Sequence, residues 1–231
     1  MTTGRLAALL LALTFAAAPV GAFSSLAGDH PKVLRAAAIF DEIVAAIGDG
    51  RTAPALRLIP AGEGGDLRVL WYDGERHVII LEESAFDVLM ADADSADALA
   101  FVLGHELAHY YKDHRWTADF SHQIRDLSLG RTLQGIGNSR RKRTEIEAEA
   151  DYFGGFYAHM AGYDALGAAP DALRRIYDHF ELTQVASDYP SLADRQGLVH
   201  QARQGLAQLI PVFEAGVRLL LLGRYEEAAR C

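Results

Sequence analysis

His105-Glu106-Leu107-Ala108-His109 sets two imidazoles four residues apart with a carboxylate between them. Four residues is about one helical turn, so on a helix both rings share a face and can reach a single metal ion. Glu106 sits beside that face, where it can take a proton from a metal-bound water attacking a carbonyl carbon; this is the place of a base, not of a ligand. Further along, Glu147-Ala148-Glu149-Ala150-Asp151 repeats the four-residue step on a second helix. One of Glu147 and Asp151 can bind metal while the other orients a histidine. Glu149 points roughly the opposite way, and with Glu145 it reads as part of a solvated acidic helix start, favoured by the helix dipole.

Neutral imidazoles with a carboxylate suit Zn2+, one ion per chain, with three protein ligands and a fourth position left for water. Cysteine ligands and intramolecular disulfides are excluded, because the single cysteine is the last residue, Cys231. A chain of 231 residues, half of them hydrophobic, can bury a core without a structural metal. A metal is therefore expected to be functional, and the intact Glu106 agrees, since a purely structural site needs no base. The net charge of −9 gives no reason to expect a nucleic-acid partner.

The hydrophobic pattern predicts an α+β, mainly helical fold. Val33, Ala37, Phe40, Val44 and Ile47 predict a first helix over Pro31–Ile47, stopped by Gly48-Asp49-Gly50. Short apolar runs at Leu56–Ile59, Leu67–Tyr72 and His77–Leu81 predict a small antiparallel sheet with a hairpin, packed on the helix of the histidine pair. That helix is expected from Asp94 or Ser95 to about His114. Arg115–Asn138 reads as a helix followed by a mobile loop, and Arg140–Arg143 as a solvated basic loop. A third long helix is expected from Thr144 to Ala161, a fourth after Pro170, and further helical segments beyond Pro190. The ending, Val217–Cys231, resembles the opening of a tetratricopeptide repeat or is simply a terminal helix.

Residues 1–22 read as an export signal, with Arg5 in a short polar start, an apolar run from Leu6 to Ala18 and a small-residue cleavage site ending at Ala22. The alternative is an uncleaved N-terminal anchor, although the run is shorter than the roughly 20 residues of a membrane span. The division expected is a signal at 1–22, a peptidase domain at 31–200 and C-terminal helices at 201–231, with no transmembrane segment in the mature chain.

The two motifs together resemble the HtpX-like and BepA-like zinc metallopeptidases, gluzincins related to the CAAX prenyl protease, which pair His-Glu-x-x-His with a downstream Glu-x-x-Ala-Asp. The resemblance implies a zincin-type fold, Glu147 as third zinc ligand beside His105 and His109, and Asp151 as the residue orienting a ligand. His114 looks like the family's histidine beyond the first motif, but half a turn away from His105 it reads as structural. Relatives often carry His-Pro with an arginine five residues after the proline. Here Tyr189-Pro190-Ser191-Leu192-Ala193-Asp194-Arg195 has tyrosine in the histidine's place. Tyr189 either donates to the tetrahedral oxyanion, covers the zinc when substrate is absent, or packs in the core. Arg195 would support the ligands.

These readings imply a metalloendopeptidase acting on protein or peptide substrates, exported to the periplasm, serving quality control in the cell envelope and meeting envelope proteins through its C-terminal helices. The rival is a chaperone-like or adaptor protein on a peptidase fold with little or no hydrolysis.

Overall fold

A computed structural model describes residues 24–64, 70–92, 95–112, 140–182 and 191–231. Helix α1 spans Pro31–Ile47, begun by a proline at its first position and ended by Gly48 in the left-handed region (φ 64°). Its fully buried residues are Ala36, Ile39, Phe40 and Ile43, with Val33, Val44 and Ile47 at the margin, so the buried stripe lies slightly rotated from the expected one.

Strands β1 (Ala55–Ile59), β2 (Leu70–Asp73) and β3 (Val78–Glu82) form one sheet in the order β1-β3-β2. β2 and β3 are the expected antiparallel hairpin, but β1 pairs with β3 in parallel, so the sheet is mixed rather than antiparallel. The reason is spatial order. The hairpin folds β3 back into the middle, where it runs alongside β1 and all of its residues are buried. A continuous apolar run such as Val78–Leu81 is the mark of such a strand, covered on both faces.

The short helix α2 (Glu83–Leu89) follows β3 directly and buries Ala85, Phe86 and Leu89; seven residues carry too little period to predict it. Helix α3 (Ser95–Tyr111) is central and almost wholly buried from Ala98 to Ala108. It packs on α1, on β2 and on helices α4 (Arg140–Met160) and α5 (Ala165–His179). The expected fourth helix begins earlier than Pro170, at Ala165, with the Asp164 side chain accepting from the Gly167 amide as N-cap. Pro170 lies within its opening turns. Helix α6 runs from Leu192 to Leu221, opened by a capping box between Ser191 and Asp194, and the four-residue α7 (Tyr225–Ala228) folds back on it after Gly223. Among the described residues, no helix is long and apolar enough to cross a membrane.

One crossing positions everything that follows. A Cβ built on Gly154 of α4 would lie 2.5 Å from the His105 amide nitrogen, and one on Gly104 of α3 would lie 2.5 Å from the Gly154 carbonyl oxygen. The two helices therefore touch backbone to backbone one residue from His105, closer than any side chain would allow.

Candidate metal centre

The crossing brings the two motifs face to face. His105 and His109, one turn apart on α3, turn their Nε2 atoms to within 3.0 Å of each other. Glu147 of α4 places its carboxylate oxygens 3.5 Å from His105 Nε2 and 3.8 Å from His109 Nε2. These three residues form a group able to hold a metal ion, with one ligand atom from each lying within 4.8 Å of the others. Bonds of about 2.0–2.1 Å in a tetrahedron leave about 3.3–3.4 Å between ligand atoms, so the observed separations bracket those of one zinc ion. The donor set, two imidazoles and a carboxylate, fits as well.

Asp151, one turn beyond Glu147 and fully buried, accepts from His105 Nδ1 at 2.8 Å. That hydrogen bond fixes the ring's orientation and, in the neutral ring, leaves Nε2 as the lone pair facing the centre. Arg195 reaches in from α6, 4% exposed, and donates from Nη1 to Glu147 (2.9 Å) and from Nη2 to Asp151 (2.8 Å). One guanidinium thus steadies both carboxylates. Glu149 points away, as expected, to an ion pair with Lys112 at 3.3 Å.

Burial alone would lower the His105 pKa, but its hydrogen bonds to Asp151 and Glu147, with their charges, push it up to about 10. Burial alone would raise that of Glu147; the hydrogen bond from His105 and the charges of His105, Arg195 and His109 instead hold it well below the usual carboxylate range. The metal-free protein accordingly carries a proton on His105 at neutral pH, and a cation that binds there must displace it. Apparent metal affinity is therefore expected to rise about tenfold per pH unit between pH 7 and about pH 10 and to level off above. Calorimetry in buffers of different ionisation enthalpy should read about one proton released per ion at pH 7; uptake with none released would contradict the assignment.

Glu106 lies beside the donor set and outside it. Burial, aided by the charge of Glu147, pushes its pKa up to about 7, against the charges of His105 and Arg195 and a hydrogen bond from the Tyr72 backbone amide. A carboxyl group poised there can hold or give up a proton near neutrality. The Tyr72 contact was invisible in the sequence, because a main-chain donor leaves no residue signature. It also shows which strand borders the centre: β3 lies in the middle of the sheet with both edges paired, and the strand beside the centre is β2. Tyr189 and His114 lie outside the described residues.

No curated protein and no solved structure matches the chain. Residues 84–145 do match the model of Peptidase family M48, a segment that holds His105, Glu106 and His109 and stops two residues short of Glu147. Over that quarter of its length the chain is similar to the M48 peptidases, which supports reading the centre as that of a metal-dependent protease.

Proposed function

We propose that the protein is a zinc-dependent metalloendopeptidase of zincin type, with His105, His109 and Glu147 as the metal ligands and Glu106 as the catalytic base. The observation that carries this reading is the convergence of three ligand atoms, from two helices, with a proton-accepting carboxyl group beside them. When bound, zinc supplies a Lewis acid that polarises the scissile carbonyl and makes water acidic enough to ionise near pH 7.

The chain's own residues do the rest. Glu106 takes the proton of the attacking water at its carboxylate and passes it to the departing amine. Asp151 holds His105 in one tautomer, and Arg195 keeps the Glu147 and Asp151 carboxyl groups in place by donating to both. β2 is an edge strand beside α3, so an extended peptide could add to it by backbone pairing, presenting one carbonyl to the centre. If residues 1–22 direct export, the setting is the periplasm and the substrates are envelope proteins that have lost their fold.

The test is metal dependence of cleavage. Zinc-loaded protein should cut an unfolded polypeptide such as casein, a chelator should reduce cutting by at least about a hundredfold, and one equivalent of zinc should restore it. Undiminished cleavage by protein stripped of metal, verified by elemental analysis, would refute the proposal.

A further inference from the structure

Because the Tyr72 amide donates to Glu106, the centre depends on where β2 sits. That strand has four residues, paired to β3 along one edge and packed against α3. The hairpin loop that follows it ends on His77, which lies in the left-handed region (φ 56°). Glycine or asparagine fills such a position at less cost, so a histidine there carries strain that its contacts must offset.

The imidazole ties three segments together. Its Nε2 donates to the Thr52 carbonyl at 2.9 Å, and Nδ1 accepts from the Tyr72 hydroxyl at 3.3 Å, so one tautomer serves both bonds. The hydroxyl of Tyr110, the residue after His109 on α3, donates to the same Thr52 carbonyl at 2.9 Å. The Tyr110 ring packs on both others, with centroids 4.9 Å from His77 and 5.6 Å from Tyr72. The segment around Thr52 is anchored in turn. Arg51 donates to the Tyr111 carbonyl at the end of α3, and the His77 carbonyl accepts from the Ala55 amide at the start of β1. Bonds this close to solvent are each weak, but their shared acceptor and stacked rings leave β2 one position against α3.

We propose that His77 is a positioning residue: by tying Tyr72 to Thr52, and so to Tyr110, it keeps the Tyr72 amide on Glu106. A shift of β2 by about 1 Å takes that donor away and lets the Glu106 side chain drift from the attacking water, a misplacement that can cost about a hundredfold in rate. The effect on hydrolysis rests on the peptidase reading; the placement of the amide does not.

Amide hydrogen exchange by NMR, together with cleavage by zinc-loaded protein, tests this on variants of the clamp. His77→Gly removes the imidazole and suits the left-handed backbone, so its melting temperature should stay within about 4 °C of wild type. Its Tyr72 amide should nevertheless exchange at least tenfold faster, relative to the fully buried Leu103 so that any general loss of stability cancels, and kcat should fall at least tenfold. His77→Gln brings an amide nitrogen near the place of Nε2 and should recover most of both. Tyr110→Phe removes one hydroxyl and should move both in the same direction by less. Unchanged Tyr72 exchange in His77→Gly, faster exchange with full kcat, or a His77→Gln protein no better than His77→Gly would each overturn the proposal. Should His77→Gly not fold, wild-type exchange and kcat in Tyr110→Phe would do so. A wild-type protein that cleaves nothing would count against the peptidase reading alone, and the exchange rates would still decide the clamp.

Discussion

Glu106→Gln is expected to lower cleavage of an unfolded polypeptide by about 10²–10⁴-fold while zinc uptake stays within about twofold. The two parts follow from where the side chain sits. Glutamine keeps the size and shape that the buried site requires, and the ligand atoms belong to His105, His109 and Glu147. What it lacks is the ability to accept a proton, which burial has tuned in Glu106 to about pH 7. Metal content by mass spectrometry and initial rates of cleavage, taken on the same preparation, separate the two effects. Full activity in a zinc-loaded Glu106→Gln protein would remove the base from the mechanism. Loss of both metal and activity would show instead that the residue supports the ion.

The second large effect is expected far from any reacting atom, at Gly154→Ala. The added methyl would sit 2.5 Å from the His105 nitrogen and 2.6 Å from the Gly104 carbonyl carbon, with backbone on the opposing side and no flexible side chain to swing away. The helices must part. Overpacking of a rigid contact costs about 1–3 kcal/mol, and a clash with backbone belongs at the upper end. A loss of about 3 kcal/mol lowers the melting temperature of a chain this size by about 6–12 °C. Glu147 and Asp151 ride on the displaced helix, so zinc affinity should fall at least about tenfold as their contacts with His105 at 3.5 and 2.8 Å open. Gly197→Ala is the control, an exposed helical glycine with nothing within 4 Å of its added Cβ, and it should leave stability unchanged or raise it by up to about 1 kcal/mol. Equal behaviour of the two variants in thermal melts and zinc titrations would show that the crossing is not tight in solution.

The residues of the centre were legible because they obey a helical period. A four-residue step is visible in the letters of His105–His109 and Glu147–Asp151, and the bounds of α1 follow from a proline and a glycine. The order of the sheet was not legible, because apolar alternation says which face of a strand is buried and says nothing of which neighbour it joins. Only the unbroken run Val78–Leu81 carried a hint that β3 is central. The start of α5 was missed for a related reason: Pro170 reads as a boundary, whereas the actual cap is Asp164, whose short side chain closes the first turn. Tyr72 and Gly154 act through main-chain atoms, and backbone proximity between distant segments is a property of packing that no local pattern records.

Arg195 has one more consequence, for the order in which the centre comes into being as the chain is made. The histidine pair emerges first, Glu147 and Asp151 some forty residues later, and the guanidinium that donates to both carboxyl groups about as far again beyond them. Until Arg195 arrives, closing α3 on α4 buries the Glu147 and Asp151 carboxyl groups without the donor they share, which opposes the closure. A nascent chain, itself an unfolded polypeptide of the kind a peptidase would cut, thus completes its centre only once synthesis has passed Arg195.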